Sequence, residues 1–395
     1  MFRKGVNMGI IKNSQEELKE LFSDKLNGGN KIMSIKEMKN LVIGNLKAKL
    51  PIVQGGMGVG ISLSGLAAAV ANEGGIGVIA SACVGMFEKD LHDNYLEANI
   101  RALKKEIRKA KAKTDGILGV NIMRALTNFK DMVKISIEEK IDIIFAGAGL
   151  PLNLPQYLEE TDETKLVPIV SSGRAAAIIA KKWIKKFDYV PDAFVVEGPK
   201  AGGHLGFKPG QINDNDFTLD KLVTQVLESL KEIEDKVGEK IPVIAAGGVY
   251  TGGDIRKLLD LGASGVQMAT RFVTTKECDA DDAFKNVYIQ SQKEDLEIIE
   301  SPVGMPGRVI HNQFVEKISV GEKKPFSCPY HCIRTCKKED SPYCIALALM
   351  NAQQGRMSHG FAFAGENAYR AEEIISVSKL VEDLKKEYQN SCLVS

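Results

Sequence analysis

Aromatic residues are scarce in this chain, at 6% of 395 residues with a single Trp, and charge of either sign is barely in excess. The 52 basic and 51 acidic side chains leave a formal charge of +1, without the basic footprint expected of a nucleic-acid-binding protein. No nucleic-acid partner is expected. The basic run at 104–113 falls on a predicted helix and reads as a solvated face. The start, Met1-Phe2-Arg3-Lys4, turns polar without an apolar leader run, and the seven cysteines point to a reducing, cytoplasmic setting. A Walker lysine motif, HExxH and GxSxG are all missing. Their absence excludes P-loop hydrolysis, zincin proteolysis and α/β-hydrolase chemistry. The longest uncharged run, 51–72, approaches membrane-span length, but five glycines, two serines and Gln54 divide it into a strand, a glycine loop and a helix. No membrane partner is expected.

What is present is glycine, 37 residues of it, in a chain that is 44% hydrophobic. The glycines keep no three-residue period, which excludes collagen, and the aliphatic content argues against disorder. Short β-rich runs lie at 51–54, 76–80, 117–122, 141–146, 167–171, 193–197, 241–246 and 265–268. They are continuously apolar, as strands buried on both faces should be. Helical patterns fall between most of them, at 63–72, 87–112, 128–140, 174–187, 219–237 and 253–261; the connection 147–165 is the weakest. Eight such units predict an α/β fold, a (β/α)8 TIM barrel. An open doubly wound sheet would want GxGxxG after the first strand, and the glycines at 55, 56, 58 and 60 do not keep that spacing. The expected organisation is an N-terminal helical extension (1–40, its helix opening at Ser14 with Glu17 in a capping box), a barrel (41–300) and a C-terminal cysteine-containing lid and helical appendage (301–395).

In such a barrel the chemistry sits at the strand C-termini. Those ends read Gln54-Gly55-Gly56-Met57-Gly58, Asn121, Ala146-Gly147-Ala148-Gly149, Ser171-Ser172-Gly173, Glu197 through His204, Ala246-Gly247-Gly248 and Gln267-Met268-Ala269-Thr270. Glycine at nearly every rim position removes side chains where backbone would approach a large flat ligand. Gly247 and Gly248 after strand seven, with Ala269 and Thr270 after strand eight, form a phosphate-site pattern supplied by amides, with Arg271 available in addition. A lone Gly-Gly would be only a tight turn; two partnered loops at these two strands favour phosphate. His204, delivered to the barrel mouth by Gly202-Gly203, is the catalytic candidate, because imidazole exchanges a proton near neutral pH. His92, His311, His331 and His359 lie off the rim, where ordinary packing explains them.

Four segments carry a resemblance: Pro51-Ile-Val-Gln-Gly-Gly-Met-Gly58, Ala201-Gly-Gly-His-Leu-Gly206, Ile244-Ala-Ala-Gly-Gly-Val249 and Val266-Gln-Met-Ala-Thr-Arg-Phe272. Together, over about residues 41–315, they resemble the nitronate monooxygenase (2-nitropropane dioxygenase) family, which also includes flavin-dependent enoyl-acyl-carrier-protein reductases. The resemblance implies an FMN-binding TIM barrel with the flavin ring over the strand ends. It implies Gly55, Gly56 and Met57 along the ring and Asn121 beside it. Gly203, Gly247, Gly248, Gln267, Met268, Ala269 and Thr270 would hold the ribityl chain and phosphate, and Ser171 and Glu197 complete the cofactor-binding set. His204 matches the family's catalytic histidine. The implied reaction is oxidation of an alkyl nitronate with O2 to a carbonyl compound and nitrite, the redox step belonging to FMN. Two other readings stay open: an NAD(P)H-dependent FMN enoyl reductase acting on an enoyl thioester, and a non-catalytic flavin-binding or electron-transfer barrel. Lys200 stands where relatives often carry an acidic residue, which alters the charge at the pocket mouth.

Beyond the barrel, 301–308 is expected as a loop folded over the mouth. Cys328, Cys332, Cys336 and Cys344, with His331 among them, resemble a ligand set for a metal or iron–sulfur cluster. The CxxxCxxxC spacing equally places three thiols on one buried helix face, the favoured reading, and no metal is assigned. Redox-active thiols remain a third reading. A helix is expected over 344–354. Segment 360–367, glycine-bounded with Phe361 and Phe363, either lines the flavin site or packs at the surface. The amphipathic helix over 371–388 is expected to dock on the barrel or to meet a second subunit as a homodimer.

Overall fold

Strands without a polar face must be covered on both sides, and the eight apolar runs are gathered into one parallel sheet for that reason. The computed structural model describes residues 37–324, 326–328 and 330–391. The helix expected at Ser14 lies outside them. Around the sheet the order is Ile52–Gln54, Gly265–Met268, Val243–Ala246, Phe194–Glu197, Lys165–Val170, Ile143–Gly147, Leu118–Met123 and Gly77–Ala80. A parallel bridge between Val53 and Ile76, with the Gln54 amide donating to the Ile76 carbonyl at 2.9 Å, joins the first strand to the second and closes the barrel.

The period of two then sorts the strand residues into two cores. Val53, Val78, Phe145, Val167, Val195 and Ile244 pack together inside the barrel. Ile52, Ile79, Val120, Leu166, Val196 and Val243 face the helices. Each fully buried side chain of this size contributes about 1.5–3 kcal/mol. A feature absent from the sequence reading closes the other end. Leu41–Ile43 and Leu46–Ala48 form an antiparallel hairpin turning at Gly44 (φ +56°), and Leu41, Ile43 and Ala48 join the inner core. Leu41 reaches Gly265, where a strand begins, so the plug lies at the strand N-termini and the opposite end stays open for a ligand.

The helices match the expected periodicity, with shifts where local chemistry decides. Leu219–Val237 buries Leu222, Val223, Val226, Leu230 and Ile233 on one stripe and stops at Gly238 (φ +78°). Gly173–Phe187 starts where the Ser172 hydroxyl accepts from the Ala175 amide at 3.3 Å. The helix expected from residue 87 begins only at Tyr95, and the connection after strand four holds one short 3-10 turn, Leu154–Tyr157. Ile345–Gln353 and Val377–Asn390 are helices; the latter begins at its Ser376 cap and docks Leu380, Val381, Leu384 and Tyr388 on the barrel layer.

Two C-terminal expectations are corrected. Pro306–Ile310, expected within and after a loop, is the middle strand of a three-stranded sheet with Leu296–Glu300 and Gly203–His204. The described part of 328–336 is not a helix, so its cysteines share no helical face. Pro329 lacks an amide donor and His331 adopts a left-handed φ of +43°, neither of which sustains a helix.

Candidate active site

Parallel strands end together, so their C-terminal loops must share one mouth. There they enclose a cavity of about 510 Å³. Gly55, Gly56, Met57, Asn121, Ser171, Glu197, Gly203, His204, Gly247, Gly248, Gln267, Met268, Ala269 and Thr270 all line it. Strands seven and eight are hydrogen-bonded neighbours, with Ala246 opposite Gln267, which sets Gly247-Gly248 beside Ala269-Thr270. The first-strand loop joins them: the Gly55 amide donates to the Met268 carbonyl at 2.8 Å. Ser171 Oγ donates to the Gly206 carbonyl at 3.2 Å and ties the fifth strand end to the histidine loop.

His204 is placed by residues far away in sequence. Its short strand pairs with Pro306–Ile310, whose buried Arg308 donates to the carbonyls of Pro199 (2.7 Å) and Ala201 (3.0 Å). The guanidinium thus fastens the loop that delivers the histidine. His204 Nε2 lies 2.8 Å from Ser301 Oγ, and its ring meets that of Phe363 edge-on at 4.9 Å. Burial lowers its pKa to about 4, so the imidazole is neutral at pH 7. At the end of the strand that leads into the histidine loop, burial raises Glu197 to about 7, leaving this carboxyl poised between neutral and charged.

The glycines serve more than one purpose, which corrects the single explanation offered from sequence. A side chain on Gly56 would come within 2.3 Å of Asn121 Cβ, and one on Gly202 within 2.5 Å of the Ala364 backbone. These clear room for protein. Gly247 and Gly248 take left-handed φ of +94° and +91°, which disfavours other residues there. Gly203 is also left-handed (φ +81°), but an added Cβ there would meet nothing within 4 Å, and one on Gly55 would meet only Ala269 and Gln267, from 3.4 Å. At these two, a missing side chain leaves cavity volume for a ligand.

Several residues of the site escaped sequence reasoning. Ser301 and Arg308 lay in an expected loop, and a serine carries no signal of its own. The segment from Phe363 to Asn367 lines the cavity, as one of the two sequence readings held, while Phe361 is fully buried in an aromatic cluster. Asn367 Nδ2 donates to the Gly248 carbonyl at 2.8 Å, and the Gly365 amide donates to Thr270 Oγ1 at 3.3 Å. Arg271, expected near a phosphate, is instead engaged by Glu387 and the Tyr250 carbonyl, both at 3.2 Å. Lys200 pairs with Glu366 at 3.3 Å, which offsets its charge at the mouth. His92, His311 and His359 contact Tyr330, Glu297 and Ser358, and none of the five histidines except His204 lines the cavity. Among the described residues, no three His, Cys, Asp or Glu side chains are placed to hold a metal ion, and no helix is long and apolar enough to cross a membrane.

A closed α/β barrel with a glycine-cleared cavity at its strand C-termini and one histidine at the mouth defines the class. The sequence profile of the nitronate monooxygenase family matches residues 39–387, and the chain belongs to that family. It is 28% identical over 318 residues to a probable nitronate monooxygenase of Staphylococcus aureus, covering 71% of this chain and 81% of the relative. It is 30% identical over 273 residues to the (3aS,4S,5R,7aS)-5-hydroxy-7a-methyl-1-oxo-octahydro-1H-indene-4-carboxyl-CoA dehydrogenase of Mycobacterium tuberculosis. That match covers 69% of this chain but 66% of the relative, just under two thirds of its length. The structure of FabK from Thermotoga maritima superposes with a TM-score of 0.67 at 30% identity, over 88% of this chain and 95% of that one.

Proposed function

We propose that the chain is a cytoplasmic FMN-dependent oxidoreductase that oxidises small alkyl nitronates with O2 to carbonyl compounds and nitrite. The observation that carries this reading is His204, neutral and aimed into a cavity whose other walls suit a flavin mononucleotide. The residues fit that group: Gly55 and Gly203 leave space a side chain would fill, and the paired loops at Gly247-Gly248 and Ala269-Thr270 form a turn-rich end suited to a phosphate. Gly55, Gly56, Met57 and Asn121 would border the ring, with Ser171 and Glu197 at its side. Gly203, Gln267 and Met268 would follow the ribityl chain. When bound, FMN supplies the one- and two-electron chemistry that no side chain here can perform.

The chain's own residues then bind and orient. A neutral imidazole accepts the α-proton of a nitroalkane, or donates a hydrogen bond to the oxygen of a nitronate. Ser301 holds the ring at Nε2 and Phe363 packs against its edge. Glu197, when protonated, adds no negative charge to a site that must receive an anion. Protein that is yellow as purified and releases nitrite from propyl nitronate supports the reading; colourless protein unable to bind FMN removes it.

A second reading, NAD(P)H-dependent reduction of an enoyl thioester, draws on the cavity's far wall. Leu126, Ile333, Ile345, Ala346 and Leu349 line it, an apolar surface suited to an acyl chain. Rapid reoxidation of NADH-reduced enzyme by crotonyl thioester without oxygen, and no nitrite from nitronate, would select this reading over the first.

A further inference from the structure

The cavity wall opposite His204 contains two thiols from opposite ends of the chain. Cys83 follows the second barrel strand and holds a left-handed φ of +50°; Cys332 lies in the C-terminal segment. Both are buried, both line the cavity, and neither is in a disulfide. Their side chains are hydrogen-bonded to each other. The backbone holds this meeting in place from both sides. Ile333 bridges to Leu126, the Thr127 amide donates to the Cys332 carbonyl at 3.1 Å, and the Arg334 amide donates to the Ala125 carbonyl at 2.9 Å. On the barrel side, Tyr95 Oη lies 3.7 Å from Cys83 Sγ.

The remaining described cysteines differ. Cys278 is buried elsewhere, its thiol donating to the Ile61 carbonyl at 3.4 Å, and Cys336 is turned to Ser341 Oγ at 3.7 Å. Cys328 and Cys344 are half-buried and outside the cavity lining. Within the contact pair the two thiols are not equivalent. The hydrogen bond from Cys332 holds the Cys83 thiol below its ordinary pKa, while the same bond and burial push Cys332 up. Such asymmetry separates an attacking thiolate from a resolving thiol.

We propose that Cys83 and Cys332 form a peroxide-oxidisable pair, closing a disulfide between the barrel rim and the C-terminal segment. The oxidant is hydrogen peroxide, small enough to enter the cavity. The Cys83 thiolate attacks one peroxide oxygen; the O–O bond breaks, the sulfur becomes a sulfenic acid, and the other oxygen takes a proton and leaves as water. The Cys332 sulfur then attacks the Cys83 sulfur, the S–O bond breaks, and a second water leaves with the Cys332 proton. Two thiols are oxidised by two electrons and one peroxide is reduced to two waters. The link would fix the segment carrying Ile333 against the cavity wall.

The test uses full-length protein purified with its native ligands under reductant, desalted without oxygen, and treated with a small molar excess of hydrogen peroxide. Alkylation in denaturant followed by peptide mass spectrometry reads the outcome. The expected product is a Cys83–Cys332 crosslinked peptide lighter by two hydrogens, reversed by dithiothreitol and missing from both Cys83→Ser and Cys332→Ser. Cys336→Ser should still form it. Full alkylation of Cys83 and Cys332 after peroxide, or preferential linkage of Cys332 to Cys328, Cys336 or Cys344, would overturn the proposal. So would stoichiometric iron and acid-labile sulfide in the anaerobic protein, which would make these thiols cluster ligands.

Discussion

Ser301 Oγ and His204 Nε2 lie 2.8 Å apart, although 97 residues separate them in the chain. The contact exists because Pro306–Ile310 pairs with the two-residue strand that carries the histidine. Ser301 therefore positions the ring, and Ser301→Ala is expected to lower kcat about tenfold, the effect of one hydrogen bond. His204→Asn, which removes the proton acceptor itself, should cost on the order of 10²–10⁴ in turnover of a neutral nitroalkane and less with a preformed nitronate, which has no α-proton to give up. Flavin content should hold in both variants, so steady-state kinetics on flavin-normalised protein checks them.

Glu197 sets a pH dependence whose sign follows from burial. Its pKa is raised to about 7, so the carboxyl is neutral below that value and negative above it. An anionic nitronate meets repulsion only in the second state. The kcat/KM for nitronate is expected to fall as pH rises through about 7, and Glu197→Gln should flatten that limb. With a neutral nitroalkane as substrate, His204, lowered to about 4, should contribute a separate limb near that pH, where protonation removes the base. A pH–rate profile of wild type and variant reads both.

The glycines of the mouth divide into two testable groups. Gly55→Ala puts a methyl at the cavity edge in ordinary contact with Ala269 and Gln267, and the expected result is weakened flavin retention with little change in unfolding. Gly203→Ala enters open space but at a left-handed φ of +81°, so it should weaken retention and also cost about 1 kcal/mol of stability. Gly56→Ala instead drives a methyl to 2.3 Å from Asn121 Cβ, which should destabilise the fold itself, by about 1–3 kcal/mol for an overpacked site. Flavin titration and denaturant unfolding, run on all three, separate the effects.

A structural prediction concerns the helix Ser64–Asn72. Its leading residue is Leu63, which offers no capping oxygen. Asp279 serves instead, accepting from the amides of Leu63 (2.7 Å), Gly65 (3.1 Å) and Leu66 (3.1 Å). Asp279→Ala strands those donors and should lower unfolding stability by about 1–3 kcal/mol. Asp279→Asn, which retains an acceptor, should recover part of the loss in the same denaturant titration.

These residues also mark how far the sequence could be read. The barrel was legible because its strands are short, continuously apolar and separated by helical periods, a pattern set by burial alone. The rim set was legible for a related reason: a residue toward the C-terminal end of such a strand must reach the mouth, as Asn121, Glu197 and Gln267 do. Contacts made across the chain left no local trace. Asp279 capping a helix 216 residues earlier, Arg308 fastening the loop before His204, and the Leu41–Ala48 plug each depend on tertiary closure. The cysteine segment misled for the opposite reason. Its regular spacing suggested a helix, but spacing has that meaning only where the backbone can be helical, which His331 at φ +43° rules out locally.

The wall from Phe363 to Asn367 has a consequence for the order in which the protein becomes competent. A ribosome that has released Met268 has supplied all eight barrel strands, yet neither the seat of His204 nor the partners of Gly248 and Thr270 exist. The nascent barrel is an open bowl. Ser301 and Arg308 follow, and only the last stretch of synthesis brings Gly365 and Asn367 to the rim. A terminal truncation that spares every barrel strand therefore leaves no organised pocket, and the tail of the message carries the site's final instruction.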